Sequence, residues 1–237
     1  MEVKEMLYEG KAKKVFQTDD PNVYMVQYKD SATAFNGAKK GTIENKGIVN
    51  NKMSNKLMAM LEEKGIPTHF IKELNDRETL VKRVEIVPLE VIVRNVTAGS
   101  FAKRFGVEEG IQLENPTLEF CYKKDELDDP MINDYQITAL KLATKQELET
   151  IADLVFKINA ALIDIFKAVG IRLVDFKVEF GRLDDGTIIL ADEISPDTCR
   201  LWDLATNEKL DKDRFRRDLG GEVEAYQEVA RRLGLDQ

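Results

Sequence analysis

Apolar and polar residues partly alternate at 24–28 and 80–84, and the β-forming residues there predict two strands. Between them Val49, Met53, Leu57, Met60 and Leu61 recur every three to four positions. That spacing predicts one amphipathic helix, which Gly65 stops. Lys46, Lys52 and Lys56 of this helix read as a solvated face. A second apolar strand is predicted over 87–93, followed by the polar segment 94–100. Residues 115–136 read as loop, because Asn115-Pro116 and Asp128-Asp129-Pro130 interrupt any period. The clearest helix starts at a capping box of Thr144 and Glu147. Its stripe is Leu148, Ile151, Val155, Ile158, Leu162, Ile165, Phe166 and Val169, and Gly170 ends it. Two further helical patterns, 211–219 and 222–233, flank Gly220-Gly221. Strands first and helices later predict an α+β fold rather than a doubly wound sheet. The boundary falls near 82–88, between a β-rich N-terminal part (1–86) and an α+β part (87–237).

Segment 173–180 alternates throughout. Val174, Phe176, Val178 and Phe180 are expected to face the core, leaving Asp175, Lys177 and Glu179 together on the other face. Asp184-Asp185-Gly186 separates it from a second strand, 187–193. A two-residue turn at Asp185-Gly186 would pair 184 with 187 and set Glu179 opposite Asp192. Facing carboxylates repel. A bound divalent cation turns that repulsion into coordination, and an all-oxygen set favours Mg²⁺ or Mn²⁺. A three-residue loop would instead move Asp192 one position out of line. Pro196 ends the strand and delivers Asp197 and Arg200 near its metal end.

Composition narrows the chemistry. Among 237 residues there is one histidine, His69. A His-ligated zinc site is excluded, and no nucleophile motif lies near His69 to make a triad. Catalysis must use carboxylates, lysines, arginines and a hard metal ion. Cys121 and Cys199 match no zinc spacing and read as reduced thiols. A net charge of −8 argues against nucleic-acid binding but not against a local cationic pocket. No apolar run can span a bilayer, and the N-terminus has no apolar leader, so a cytoplasmic chain without membrane partners is expected. Neither a P-loop nor a Rossmann fingerprint is present. The phosphate-binding candidates are Gly10, which lets backbone approach a ligand, and Lys11 and Lys13, which would share a face at period two. Arg94 and Ser100, flanking a Thr97-Ala98-Gly99 turn, are further candidates. Arg94 and Arg200, from two strand ends, would make a fork for an anion, unless each pairs locally with Glu90 and Asp203.

Two long stretches carry a family resemblance: 88–100, Pro-Leu-Glu-Val-Ile-Val-Arg-Asn-Val-Thr-Ala-Gly-Ser, and 173–181, Leu-Val-Asp-Phe-Lys-Val-Glu-Phe-Gly. With the Gly10-Lys11-Ala12-Lys13 entry, the 192–197 turn and the 211–216 tail in the same order, the chain resembles the SAICAR synthetases (phosphoribosylaminoimidazole-succinocarboxamide synthases) of purine biosynthesis. The resemblance implies an ATP-dependent ligase joining L-aspartate to carboxyaminoimidazole ribonucleotide (CAIR) through an acyl phosphate, with Mg²⁺. It also implies an ATP-grasp-related fold with ATP in a cleft between two lobes. On that resemblance Gly10, Lys11, Ala12 and Lys13 would meet the ATP phosphates. Lys82, Glu85 and Ile86 would hold the adenine, and Glu179 and Asp192 the metal. Arg94, Ser100, Arg200, Asp197 and Arg216 would hold substrate, and Lys177 and Asp175 would line the reaction centre. Lys123 and the 129–134 loop are candidates for the aspartate pocket. A homodimer is compatible with this picture. The alternative is another ATP-dependent carboxylate–amine ligase, or a small-molecule kinase, on the same scaffold.

Overall fold

The computed structural model describes residues 1–235. The chain begins with strands β1 (Val3–Glu9), β2 (Lys13–Thr18) and β3 (Val23–Tyr28). A small hairpin follows, of β4 (Ser31–Ala34) and β5 (Lys39–Thr42), and then helix α1 (Lys46–Glu63). Strands β6 (Phe70–Asn75) and β7 (Glu78–Lys82) complete an antiparallel five-stranded sheet in the order β1-β2-β3-β7-β6.

The second sheet starts with β8 (Glu85–Ile86) and β9 (Leu89–Val96). Helix α2 (Gly99–Phe105), β10 (Gln112–Tyr122), β11 (Met131–Ile132), α3 (Asp134–Ala139) and α4 (Lys145–Ala168) follow. Then come β12 (Ile171–Arg182), β13 (Ile188–Ala191), β14 (Cys199–Asp203), α5 (Asp213–Arg216) and α6 (Glu222–Arg232). Long strand β12 organises this sheet by changing partners along its length. Its first half lies between β9 and β14, and its second half between β8 and β13.

The two sheets divide between residues 82 and 85, but the core does not. Met53, Leu57 and Leu61 of α1 join Ile151, Val155, Ile158 and Leu162 of α4 and Phe176, Val178 and Phe180 of β12 in one cluster. Both helices keep the expected apolar stripes. The Thr144–Glu147 capping box forms in both directions at the start of α4. Gly65 and Gly170 adopt the positive φ that ends a helix at low steric cost.

Five expectations change. Residues 115–122 are strand, not loop: β10 absorbs Asn115-Pro116 through a register shift between Gln112 and Thr117, which spares Pro116 a ladder donor. The 211–219 pattern is a single turn, α5, because Asp211 uses its carboxylate to bind the Leu201 and Asp213 amides instead of continuing a helix. Val174 leaves the main cluster for one with Val96, Ala98 and Trp202, since a register shift between Leu173 and Asp175 breaks the alternation there. Lys46 is fully buried rather than solvated, and Lys52 and Lys56 are each bonded, to Asp76 and to the Leu233 carbonyl.

The fifth change concerns the β12–β13 hairpin. Its loop has three residues, 184–186, with Gly186 at φ +86 and Leu183 N–H donating to the Thr187 carbonyl. Asp185 accepts from the Thr187 amide at 2.9 Å, which favours this closure. Glu179 therefore faces Ala191, and Asp192 lies one position out of line, past the strand end with φ 57.

Candidate active site

One cavity of about 260 Å³ lies between the two sheets. Val15, Met58, Val81, Val84 and Ile86 line it with apolar surface, and Lys13, Lys123, Glu179 and Asp192 bring charge to it. Lys13, at the first position of β2, is bonded to Asp192 and lies 3.2 Å from Glu193. Burial opposes its charge, but Asp192 and Glu193 raise its pKa well above the ordinary range. Lys123 donates to Glu179 at 2.9 Å. Burial, then the Asp192 charge, push Glu179 up to about 7 even so. Asp192 is shifted the other way: burial opposes ionisation, and the Lys13 charge overcomes it. The two carboxylates thus stay within electrostatic reach although the hairpin register does not pair them.

The other nucleotide-side candidates divide. Lys82 lines the cavity and donates to the Thr68 carbonyl at 3.1 Å. Ile86 lines it too, but Glu85 is exposed and pairs with Arg182 at 3.2 Å. Gly10 N–H closes a turn on the Lys13 carbonyl, and the Ala12 carbonyl accepts from Lys29 N–H. Lys11 belongs to that turn and not to the strand, so it does not share a face with Lys13. Its ammonium reaches Asn36 at 3.3 Å and Asp125 at 3.5 Å outside the cavity. His69 lines the cavity, and burial, aided by the Lys13 charge, lowers it to about 4, so it is neutral at pH 7.

A second constellation is built of arginines. Arg94, 3% exposed, sits opposite Asp175 across the β9–β12 ladder. Its Nη1 donates to Asp175 at 3.1 Å, its Nε to Glu119 at 2.5 Å and its Nη2 to Ser100 at 3.0 Å. Arg200, opposite Asp175 on β14, donates to both of that residue's oxygens at 3.3 and 3.1 Å, and to Asp213 at 2.9 Å. Arg216 donates to Asp213 at 2.8 Å. The arginines converge on a shared carboxylate, and the local pairs with Glu90 and Asp203 do not form. Glu90 binds Lys177 at 2.7 Å and Asp203 binds Arg232 at 2.7 Å. Gly99 makes room for this arrangement: a Cβ there would lie 2.3 Å from Arg200 Nη2.

Asp197 forms a third group. It accepts from Lys46 and from the Tyr226 hydroxyl, each at 2.5 Å, and from Asn50 at 3.2 Å. Burial opposes its charge, but Lys46 foremost holds it at about 2. Lys46, Tyr226, Glu119 and Asp213 are members of these networks that the sequence reading did not single out. Glu90 was findable, since it lies at even spacing from Arg94 on an apolar strand whose Val91 and Val93 point the other way.

Asp175, Lys177 and Glu179 join the two sides. Successive members at period two stand about 6.7 Å apart along a strand, so β12 runs about 13 Å from the arginines to the cavity. As for a metal, no three His, Cys, Asp or Glu side chains cluster as a ready-made cage among the described residues. Glu179, buried and resisting ionisation, and Asp192, partly buried, are an all-oxygen pair that would suit a magnesium ion.

A site of buried carboxylates, lysines and arginines around an apolar cavity is the equipment of an enzyme acting on anionic small molecules. Comparison with known proteins makes this specific. A model of the SAICAR synthetase family matches residues 6–233. The phosphoribosylaminoimidazole-succinocarboxamide synthase of Lachnoclostridium phytofermentans is 63% identical over 232 residues, 98% of each chain. The crystal structure of the same enzyme from Ehrlichia chaffeensis superimposes with a TM-score of 0.96 at 51% identity, covering 98% of this chain and 100% of that one. A SAICAR synthetase solved in complex with ADP gives 0.93 at 47% identity, covering 98% and 97%. The chain belongs to the SAICAR synthetase family, carbon–nitrogen ligases of purine biosynthesis. Its mixed α/β fold is that of the family's solved structures.

Proposed function

We propose that the chain joins L-aspartate to CAIR at the expense of ATP, and that β12 is the axis of the reaction. The observation that carries this reading is the run of Asp175, Lys177 and Glu179 on one strand, linking an arginine cluster at one end to an apolar, lysine-lined cavity at the other. The relative solved with ADP supports nucleotide use. ATP enters the cavity with its base against the apolar surface beside Lys82 and Ile86, and its phosphates toward Lys13, Lys123 and the Gly10–Ala12 turn. Lys11 joins them from outside. In this reading the N-terminal part (1–86), whose last strand β8 already pairs with β12, and the C-terminal part (87–237) are two lobes around an ATP cleft, in an ATP-grasp-related arrangement.

The chemistry suits these residues. A carboxylate is a poor acyl donor. An oxygen of the CAIR carboxylate attacks the γ-phosphorus of ATP, the bond to the β-phosphate oxygen breaks, and ADP leaves. The resulting acyl phosphate is attacked by the aspartate amine, which loses a proton as phosphate departs. Neither step needs a histidine: phosphoryl transfer depends on positioning and charge neutralisation. Magnesium, held by Glu179 and Asp192, would neutralise phosphate charge. Lys177, between the two ends of β12, is placed to stabilise the phosphate during transfer. Arg94, Ser100, Arg200 and Arg216 hold the ribonucleotide, while Asp175 keeps Arg94 and Arg200 in register for it. Asp197, fixed by Lys46 and Tyr226, presents its edge of the substrate pocket rigidly. The enzyme is expected to be cytoplasmic; among the described residues no helix is long and apolar enough to cross a membrane.

An ADP-release assay tests the reading. ADP should form only when CAIR is present, and amide product only when L-aspartate is added as well. ADP formation with other carboxylates and equal indifference to CAIR would favour a different ligase or kinase.

A further inference from the structure

Among the acids of the arginine cluster, Glu119 alone lies outside the stretches that carry the family resemblance. It stands on β10, diagonal to Arg94 across the β9–β10 ladder, where Arg94 faces Thr117. Its buried carboxylate uses both oxygens. Oε2 accepts from Arg94 Nε at 2.5 Å. Oε1 accepts from Arg104 Nη2 at 2.8 Å and from Arg94 Nη2 at 3.4 Å. Arg104 comes from the last turn of α2, packs over the Phe105 ring at 5.0 Å and keeps 31% of its side chain exposed. Among the described residues Glu119 is its only ion-pair partner. Counting Arg104, four arginines meet three carboxylates in direct ion pairs here, with the buried Asp211 carboxylate also acting on Arg200.

We propose that Glu119 is a positioning residue for the ribonucleotide: it fixes Arg94 and gathers Arg104 to the same edge, so that two guanidinium groups meet the substrate's anionic group as one pre-formed fork. The inference rests on the arginine cluster being the ribonucleotide side. Arg94 is held at its other corners by Asp175 and Ser100, so losing Glu119 should misalign it without freeing it. Arg104, which among the described residues has no other ion-pair partner and otherwise rests only on the Phe105 ring, should swing toward solvent.

Glu119→Gln keeps the volume but offers one acceptor oxygen, so one guanidinium meets an amide N–H instead. The KM for the ribonucleotide should rise about tenfold, with kcat within about twofold of wild type and the KM for ATP unchanged. Calorimetric titration of the product, SAICAR, into the resting enzyme should show the same loss without turnover. Glu119→Asp, shorter but with both acceptors, should recover part of it. If Glu119→Gln lowers the melting temperature yet binds SAICAR like wild type, Glu119 is only a structural ion-pair partner and the proposal fails. Should Glu119→Gln not fold, Glu119→Asp carries the test: a loss of about threefold at unchanged kcat supports the role, and none overturns it. Arg94→Lys, titrated in parallel, separates the two layers. Loss there with none in the Glu119 variants sinks the role of Glu119 alone; no loss in either sinks the reading of the cluster.

Discussion

The two ends of β12 handle charge in opposite ways. At the cavity end, lysines sit one to one on carboxylates, Lys13 on Asp192 and Lys123 on Glu179. At the other end, arginines and carboxylates alternate in an unbroken chain, Glu119–Arg94–Asp175–Arg200–Asp213–Arg216. A lysine ammonium is a point charge on a flexible stem and can trade a carboxylate for a phosphate. A guanidinium bonded at three corners cannot turn without breaking its network. Under the proposed function, the cavity end would exchange partners when a metal–nucleotide arrives, and the arginine end would receive a substrate without rearranging. Burial sharpens the contrast: Glu179 sits near pKa 7 although Lys123 touches it. This end of the site is poorly satisfied until a ligand fills it.

Glu179→Gln is the strongest way to break that picture. Turnover should fall by a factor on the order of 10³ or more, because on the proposed function a metal ligand at the phosphates would be lost. Stability should move the other way. The folded state holds the Glu179 proton up to about pH 7, whereas the unfolded chain releases it near 4.5. Glu179 therefore contributes a loss of stability as pH rises from about 4.5 to about 7, in a window where His69, held at about 4, contributes a gain and Asp211, raised by burial to about 7, a further loss. In Glu179→Gln only the Glu179 share should vanish, so the stability of the variant relative to wild type should rise between about pH 4.5 and 7, leaving it as stable as wild type or more so at pH 8. Urea midpoints of both proteins between pH 4 and pH 8 check this. A variant destabilised at pH 8 would mean that the pair with Lys123 outweighs the burial of Glu179.

Arg94→Lys probes the rigid end. Lysine keeps the charge but cannot bridge Glu119, Asp175 and Ser100 at once. Loss of a charged hydrogen bond costs about 1.5–3 kcal/mol, so ribonucleotide affinity should drop roughly 10- to 100-fold. ATP affinity should stay within about twofold, since no step of the nucleotide side runs through Arg94. Comparable losses for both ligands, read by calorimetry, would show that the two ends are one coupled network.

Asp197 gives a smaller effect of opposite pH sign to Glu179. Its pKa is held at about 2, chiefly by Lys46, against 3.8 in the unfolded chain. Its contribution is fully present above about pH 4 and is lost as pH falls toward 2. Asp197→Asn should therefore flatten the acid limb of the stability curve below pH 4 and leave the limb between 4.5 and 7 unchanged. Thermal melts across both ranges distinguish the two carboxylates.

How much of this was legible in the sequence follows the range of each interaction. The α1 and α4 stripes, the Thr144–Glu147 box and the polar face of β12 are local periodicities, and they stand in the structure. The β12–β13 register was not readable, because Asp185-Gly186 serves both a two-residue and a three-residue loop, and the Asp185–Thr187 bond tips the choice. Lys46 looked solvated since helical spacing says nothing of what packs on the far side. Only the fold brings Asp197 and Tyr226, more than 140 residues away, onto its ammonium. Glu119 was hidden in a segment whose Asn115-Pro116 reads as loop, although it continues a strand. The family's motifs name Arg94, Arg200 and Asp175, but with Asp175 at the reaction centre and not as the carboxylate that both arginines share.

The smallest effect, and the finest test of the contrast, comes from comparing Lys11 with Lys13. Both were expected on one strand face, yet Lys13 is buried on Asp192 and Glu193, and Lys11 is 46% exposed beside Asp125 and Asn36. Removing Lys13 strands two buried carboxylates, a change that costs about 3–5 kcal/mol where one partner of a buried pair is deleted. Removing Lys11 deletes a solvated pair, worth under about 0.5 kcal/mol. Lys11→Ala should melt like wild type and weaken ATP binding only about two- to fivefold, since a phosphate contact made in high dielectric is screened. The deficit should shrink further as salt is raised toward about 0.5 M, where the Debye length is a few ångströms. If instead Lys11→Ala loses ATP affinity tenfold or more and the loss resists salt, the Gly10–Ala12 turn must fold over the bound phosphates and shed its water. The exchange of partners at the cavity end would then involve a moving backbone as well as Lys13 and Lys123.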